Sequence, residues 1–245
     1  MKKQLIAVLL LLAPAWAAMA AEHAHLEEAN IDPNNTASLQ RGARLFVNYC
    51  LSCHSAALMR FERIGKDLGI KEKLVAENLV FNGGKVGELM TVATHPEDEK
   101  EWFGTVPPDL SVIARSRGVD WLYSYMRSFY LDKTKITGVN NLVFPDVGMP
   151  HVLWELQGWQ EAKIHTVKNE DGTETKDVTL ELVEPGKLTP KEYDRAIRDL
   201  VNFLDYMGEP AKHERKTLGV KVIMFLLLFL VLAYLMKREF WKDVH

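Results

Sequence analysis

The sequence predicts a mainly α-helical domain with long loops and a small β-hairpin, followed by one C-terminal transmembrane helix. Three observations lead to this fold class. Several segments carry apolar residues at helical spacing, one segment alternates around an Asp-Gly pair, and the chain of 245 residues closes with a long apolar run. The domain before that run is long enough to bury one sizeable core.

The first 20 residues have the features of a cleaved secretory signal. Lys2 and Lys3 give it a positive start, residues 5–12 form its apolar core, and residues 18–20 are an Ala-Met-Ala cleavage site. The apolar run is too short for a membrane span. The mature chain is therefore expected to begin near Ala21, in an oxidising compartment.

A C-x-x-C-H motif at residues 50–54 contains both cysteines of the chain. This motif is the attachment site of a c-type haem, in which each thiol forms a thioether to the porphyrin and the histidine binds the iron. A zinc site would need further ligands, and a thiol–disulfide pair does not need the histidine. We therefore predict one covalently bound haem c on Cys50 and Cys53, with His54 as an axial ligand. A thiol–disulfide enzyme is the alternative.

The rest of the domain is predicted to consist of short helices and long connections. Apolar spacing predicts helices over residues 38–49, 72–78 and 120–130, the last of them rich in aromatic residues. Residues 81–108 and 132–150 contain clustered glycines and prolines and are expected to be mostly irregular. A large haem face would serve as the core on which such loops pack.

A β-hairpin and a long helix precede the end of the domain. Residues 163–182 alternate on both sides of Asn-Glu-Asp-Gly, which predicts a hairpin to which we assign no role. The helix that follows has Thr189 as its N-cap, a proline at its first position and Glu192 at its third. Its apolar stripe indicates packing, and Gly208 is expected to end it.

Residues 218–236 form the predicted membrane anchor. Lys221 is the only charge in this run, and 19 helical residues span about 28 Å, close to the ~30 Å hydrocarbon core. Basic residues in the tail at 237–245 favour a cytoplasmic C-terminus. Residues 21–217 are then the extracytoplasmic haem domain, on the periplasmic side of a bacterial inner membrane.

The charge of the predicted outer domain is acidic. The whole chain has a formal net charge of −3, and residues 21–217 carry seven more acidic than basic side chains. Such a balance suits electrostatic steering of a basic soluble carrier. The densest acidic run, at residues 97–101, is expected to be an ordinary solvated loop. No nucleic-acid partner is expected.

The second axial ligand of the haem iron is less sharply defined by the residues alone. The methionines of the signal, the anchor and the helical stripes are set aside, and Met59 is set aside because it is too near His54 in sequence. Met90 and Met149 remain as candidates. Met149 lies in a loop between two prolines, without an evident core role, 95 residues after His54. His95 and His151 are competing ligands, each more typical of the surface or of a position behind a ligand.

Four motifs then occur in a characteristic order. They are the haem motif at 50–54, Pro-Pro-Asp-Leu-Ser at 107–111 leading to Arg-Ser-Arg at 115–117, Phe-Pro and Gly-Met-Pro within 144–150, and Glu-Pro at 209–210 leading to the anchor. Together they resemble the cytochrome c1 family, the haem subunit of the ubiquinol–cytochrome c reductase (cytochrome bc1) complex. The resemblance runs from about residue 40 to residue 241.

The resemblance implies roles for residues that periodicity does not assign. It implies that Met149 is the second axial ligand, that Arg117 pairs with a haem propionate, and that Pro108 and Trp121 pack against the haem. The aromatic pair at residues 102–103 lies where some relatives are more polar, so contacts there are not carried over.

The resemblance also implies an electron-transfer subunit that is not an enzyme on its own. Electrons would arrive from a Rieske iron–sulfur protein and leave to a soluble cytochrome c, with cytochrome b as a further partner. A His/Met haem has no open coordination position, and methionine ligation raises the reduction potential. A membrane-tethered cytochrome that serves a terminal oxidase is an alternative that keeps the haem.

Overall fold

The computed structural model describes residues 26–168 and 174–243, and within them the mainly helical prediction is confirmed. The predicted signal lies outside the described residues. The helices are α1 (Thr36–Tyr49), α2 (Phe61–Asp67), α3 (Glu72–Asn78), α4 (Pro96–Phe103), α5 (Ile113–Arg117), α6 (Val119–Arg127), α7 (Trp154–Gln157), α8 (Pro190–Gly208) and α9 (Lys212–Phe240). Antiparallel strand pairs join β1 (Ala56–Arg60) to β2 (Leu89–Met90), β3 (Phe129–Leu131) to β4 (Val139–Asn141), and β5 (Gly158–Lys168) to β6 (Glu174–Pro185).

Helices α1 and α8 pack against each other at the centre of the domain. The rings of Phe46 and Phe203, both fully buried, lie 5.7 Å apart across this interface. Beside them the buried carboxylate of Asp199 accepts a hydrogen bond of 2.6 Å from Ser38 Oγ and a bidentate pair from Arg41. A buried charge that is paired and hydrogen-bonded in this way fixes one helix against the other.

The predicted start of α8 is confirmed in detail. The Thr189 hydroxyl accepts a hydrogen bond from the Glu192 backbone N–H, and the Glu192 carboxylate accepts one of 2.9 Å from the Thr189 N–H. These bonds form a capping box, and they lower the pKa of Glu192. Gly208 is the last helical residue, as expected, but Glu209 is the C-cap. A Cβ on Gly208 would lie 3.3 Å from Arg115 Cγ, so the glycine allows the Arg115 side chain to pack closely there.

Two helical predictions needed correction at their ends. Residues 120–130 were expected to be one helix, whereas α6 ends at Arg127 because Phe129–Leu131 pair with Val139–Asn141 as β3 and β4. Helix α1 begins two residues before the predicted start at Ser38, because the side chain of Asn35 caps it by accepting a hydrogen bond from the Ser38 N–H. The helix over residues 72–78 is confirmed as α3.

Residues 81–108 are mostly irregular, as expected, but helix α4 interrupts them. Pro96 occupies the first turn of α4, a position at which its missing N–H costs nothing. The acidic run 97–101 therefore lies in a helix, not in a solvated loop. Glu99 is buried and accepts a hydrogen bond of 2.6 Å from the hydroxyl of Thr94. Helix α2, at residues 61–67, was not predicted either.

The predicted β-hairpin is confirmed and is longer than its alternating pattern suggested. Strands β5 and β6 pair from Gly158↔Pro185 to Lys168↔Glu174, with one register shift after Trp159. The predicted Asn-Glu-Asp-Gly turn lies outside the described residues.

Helix α9 contains the whole predicted anchor. Among the described residues, one helix is long and apolar enough to cross a membrane, over Arg215–Phe240. Residues 209–211 separate it from α8, and two ion pairs bridge this joint: Lys212 to Asp205 at 2.9 Å and Arg215 to Glu209 at 2.5 Å. Three residues therefore connect the packed domain to the helix that contains the predicted anchor.

Candidate haem site

The C-x-x-C-H motif forms a single turn at the end of α1. The Cys50 N–H donates to the Phe46 carbonyl at 2.9 Å, and the Cys50 carbonyl in turn accepts bonds from the N–H groups of Cys53 and His54 at 3.1 and 2.8 Å. Cys50 and Cys53 form no disulfide with each other, and Cys50 is buried while Cys53 is half-buried. The turn thus presents two thiols and one imidazole within five residues.

The thiol of Cys50 does not have the character of a redox nucleophile. Burial, reinforced by the neighbouring Cys53, raises the pKa of Cys50 to about 12. Reactive cysteines of thiol–disulfide enzymes have lowered pKa values, because the thiolate is the attacking species. The surroundings of Cys50 therefore do not favour disulfide exchange.

The ring of His54 is oriented by the backbone of Pro108. Its Nδ1 donates a hydrogen bond of 2.8 Å to the Pro108 carbonyl oxygen. Because a carbonyl oxygen only accepts, Nδ1 carries the proton and Nε2 keeps its lone pair. A histidine that binds a metal through Nε2 needs this tautomer and this kind of outer partner. Packing of Pro108 against the haem stays a prediction, and the structure shows a different role for this residue, the orientation of His54 by its carbonyl.

Backbone bonds fix the Pro-Pro-Asp-Leu-Ser segment beside the haem motif. The Leu110 N–H donates to the Ser55 carbonyl at 2.8 Å. The side chains of Asp109 and Ser111 accept bonds from the N–H groups of Ala57 and Leu58 at 2.8 and 3.0 Å. This explains why the two motifs occur in one chain: the second holds the first in place.

Met149 lies half-buried in a loop that borders the same segment. A Cβ built on Gly148 would lie 4.0 Å from the methyl carbon of Thr105, three residues before Pro108. The Tyr125 hydroxyl donates to Met149 Sδ at 3.3 Å. The stretch from Thr105 to Pro108 therefore lies beside the methionine loop at one end and bonds His54 at the other.

Two buried asparagines hold the loop that carries Met149. The side-chain oxygen of Asn141 accepts bonds from the N–H groups of Val143 and Phe144, at 2.9 and 3.1 Å. The side-chain oxygen of Asn140 accepts one of 2.8 Å from the Asp146 N–H. The expectation of an unstructured loop over residues 132–150 is thus only partly correct, since side-chain bonds replace a regular ladder.

Arg117, Trp121 and Tyr125 follow one another along one side of the site. Trp121 and Tyr125 are four residues apart on α6 and therefore share one helical face, while Arg117 ends α5, just before the break at Gly118. The guanidinium carbon of Arg117 lies 5.0 Å from the centre of the Trp121 ring and 5.7 Å from that of Phe144. The rings of Trp121 and Tyr125 are stacked at 4.9 Å and 9°. The row leads from the exposed Arg117 to the sulfur of Met149.

The three residues that compete with Met149 for the second axial position lie in different surroundings. Met90 is fully buried in β2, whose partner at that position is Ala56, and His95 is exposed at the start of α4. His151 is buried with its ring parallel to Phe129 at 5.0 Å, so of the two positions expected for it, at the surface or behind a ligand, the surface is excluded. Burial lowers the pKa of His151 to about 4, which keeps the ring neutral.

The partner of Met149 was not predicted from the sequence. Tyr125 lies in the helix predicted to be rich in aromatic residues, and neither it nor Asn141 was given a role. The spacing of Trp121 and Tyr125 by four residues within one predicted helix was the available signal. It shows a shared helical face, but it does not show that Met149 lies opposite.

Comparisons with known proteins agree with this arrangement. A sequence model of the Cytochrome C1 family matches residues 28–244. A cytochrome c1 of Allochromatium vinosum is 51% identical over 245 residues, 100% of both chains. A protein of Nitrosomonas europaea named ammonia monooxygenase gamma subunit is 47% identical over 236 residues, 96% of each chain. A cytochrome c1 of Rhodospirillum rubrum is 24% identical over 235 residues, 84% of this chain and 81% of the relative.

Fold, site and relatives together define a haem protein of electron transport with one helix suited to a membrane anchor. The family match covers nearly the whole described chain. The chain belongs to the cytochrome c1 family, the haem subunit of the cytochrome bc1 complex.

Proposed function

We propose that this chain holds one haem c through thioether bonds to Cys50 and Cys53, with His54 and Met149 as the axial ligands, and that it passes electrons from a Rieske protein to a soluble cytochrome c. The single observation that carries the site is the bond from His54 Nδ1 to the Pro108 carbonyl, which leaves Nε2 free for iron. The backbone that makes this bond also borders the Met149 loop.

The residues fit the group that the family requires. When bound, the haem supplies a one-electron carrier whose potential is raised by methionine ligation. His54 is held in one tautomer, and Met149 is held by its loop and by Tyr125. With both axial positions filled by side chains, the site suits electron transfer rather than substrate binding.

Arg117 is proposed to pair with a haem propionate. The guanidinium lies against the faces of Trp121 and Phe144, so its orientation is set by aromatic contacts. Arginine can bind a carboxylate bidentately and stays charged at all relevant pH values. Trp121 and Pro108 are proposed to pack against the porphyrin beside it.

The proposed topology assigns each part of the chain to one side of a bacterial inner membrane. Residues 1–20 are a cleaved signal, residues 21–217 a periplasmic haem domain, residues 218–236 the anchor and residues 237–245 a cytoplasmic tail. The helix over Arg215–Phe240 supports the anchor by its length and composition. The basic residues that follow the anchor support the cytoplasmic position of the tail.

The proposed site of electron exit is the surface of α4. This helix carries exposed carboxylates at Glu97 and Glu101 and closes with exposed Trp102 and Phe103. The chain then continues into residues 105–108, which bond His54 and lie beside the loop that carries Met149. An acidic helix with an apolar end suits brief docking of a basic carrier whose own haem edge is apolar.

Purification of the tagged chain from its own membranes tests the assembly. We expect cytochrome b and a Rieske protein to co-purify, with a haem that stays on this chain after acid–acetone extraction and gives a c-type pyridine haemochrome spectrum. Alkylation of the unfolded protein should find no free thiol. A haem that extracts, or two alkylated cysteines, would refute covalent attachment.

The same purification separates the remaining alternatives. A terminal oxidase as the partner would support the tethered-cytochrome alternative. The Nitrosomonas europaea relative bears the name of an ammonia monooxygenase subunit, so recovery of oxygenase subunits in place of cytochrome b would contradict the proposed complex.

A further inference from the structure

We propose that Tyr125 is a positioning residue that raises the reduction potential of the haem through its hydrogen bond to Met149 Sδ. This inference rests on the proposed function, because it takes Met149 as the second axial ligand. The Tyr125 hydroxyl donates to the sulfur at 3.3 Å, within the range of a hydrogen bond to sulfur. Tyr125 acts through Met149 and is not itself a ligand.

The ring of Tyr125 is held from two sides. It stacks on Trp121 at 4.9 Å and 9°, and it meets the ring of Phe129 edge-on at 5.1 Å and 68°. The side chain is buried, with 8% of the residue exposed. A hydroxyl on a ring clamped in this way has little freedom to turn toward solvent, so its direction is determined by packing.

The backbone of Tyr125 is also tied to the loop that carries the methionine. Asn141 Nδ2 donates to the Tyr125 carbonyl at 2.8 Å, while Asn141 Oδ1 accepts from the N–H groups of Val143 and Phe144. One buried amide therefore joins the end of α6 to the start of the loop. The Asn141 amide therefore helps to hold the Tyr125 hydroxyl near the Met149 sulfur, in addition to the hydrogen bond between them.

The direction of the effect follows from the chemistry of the thioether. Methionine sulfur is a weak acceptor with two lone pairs. If one pair binds iron and the other accepts the Tyr125 proton, the sulfur donates less electron density to the metal. The ferric state depends more on that donation than the ferrous state does. Loss of the hydrogen bond should therefore lower the potential.

The test is Tyr125→Phe in the purified complex, followed by a redox titration monitored at the haem absorption bands. The substitution keeps the ring and both aromatic contacts and removes only the hydroxyl. We expect a lower potential, by about 40 mV for a roughly fivefold change in the reduction equilibrium. The matched control is Tyr193→Phe, which removes a buried hydroxyl that donates to the Met126 carbonyl at 2.8 Å. The control should keep the wild-type potential.

A second variant protects the test against failure of Tyr125→Phe to assemble. Incorporation of 3-fluorotyrosine at position 125 makes the hydroxyl a stronger donor, so the potential should rise. Equal potentials for wild type and Tyr125→Phe, or no rise with fluorotyrosine, would overturn the inference.

The ligand assignment is tested separately by Met149→Leu. If that variant loses the iron–methionine charge-transfer band while Tyr125 variants leave the potential unchanged, only this inference fails. If the band survives in Met149→Leu, the proposed function fails at this residue.

Discussion

Gly42 of α1 lies directly against the backbone of Asp199 on α8. A Cβ atom on residue 42 would be 2.1 Å from the Asp199 carbonyl oxygen and 2.6 Å from Phe203 Cβ. Neither neighbour is the flexible end of a side chain, so the two helices can approach this closely only with glycine at that position. The haem motif follows the end of α1, so a shift of α1 against α8 would also move the cofactor site.

Gly42→Ala is expected to destabilise the protein by about 3 kcal/mol, because overpacking forces the two helices apart. Thermal unfolding of the purified full-length protein measures the loss, and the amount of covalently attached haem should fall with it. Gly87→Ala is the control, since a Cβ there meets nothing within 4 Å. Equal melting temperatures for the two variants would contradict the close approach.

Met149→Leu is expected to abolish the near-infrared iron–methionine charge-transfer band and to lower the potential. Leucine keeps the apolar volume but cannot bind iron. Met90→Leu is the matched control, because Met90 is fully buried in β2 and its replacement changes packing alone. Loss of the band in the Met90 variant, with retention in the Met149 variant, would reverse the assignment.

Arg117→Gln is expected to lower the potential by tens of millivolts, on the order expected for one removed positive charge near the haem. A positive charge stabilises the reduced form, which carries one more electron. The control is Arg115→Gln on the same short helix α5, where the side chain contacts Gly208 instead. The measurement is a redox titration at fixed salt, and similar shifts in both variants would argue against a specific propionate pair.

Neutralisation of the acidic helix α4 is expected to slow electron delivery to a basic carrier. Combined Glu97→Gln and Glu101→Gln should reduce the association rate several-fold at low salt and make its salt dependence shallower. Glu72→Gln with Glu77→Gln on α3 removes the same charge from a helix that packs on α2. Stopped-flow oxidation by soluble cytochrome c across a range of ionic strength separates the two pairs. Indifference to salt in the wild-type protein would contradict steered docking.

The parts of the fold that local chemistry specifies were predictable from the sequence. Thr189 and Glu192 form the expected capping box because both halves of that signal lie within four residues. Cys50, Cys53 and His54 form one turn for the same reason: their geometry is local. The strands of the hairpin followed from alternation, although β5 and β6 extend beyond it.

The parts that depend on contacts distant in sequence were not predictable. The run at 97–101 resembled a loop because prolines surround it, whereas burial of Glu99 against Thr94 and the proline at the first turn support a helix. His151 has no local sign of burial, since its stacking on Phe129 depends on how two loops meet. The Tyr125 bond to Met149 joins residues 24 positions apart. Only tertiary packing reveals such pairs.

The short joint between α8 and α9 determines how this domain meets its partners. Three residues reach about 10 Å at most when fully extended, and the pairs Lys212–Asp205 and Arg215–Glu209 close the gap further. So short a connection limits how far the domain can move away from the predicted anchor. An electron donor or acceptor at a greater distance must therefore approach the domain.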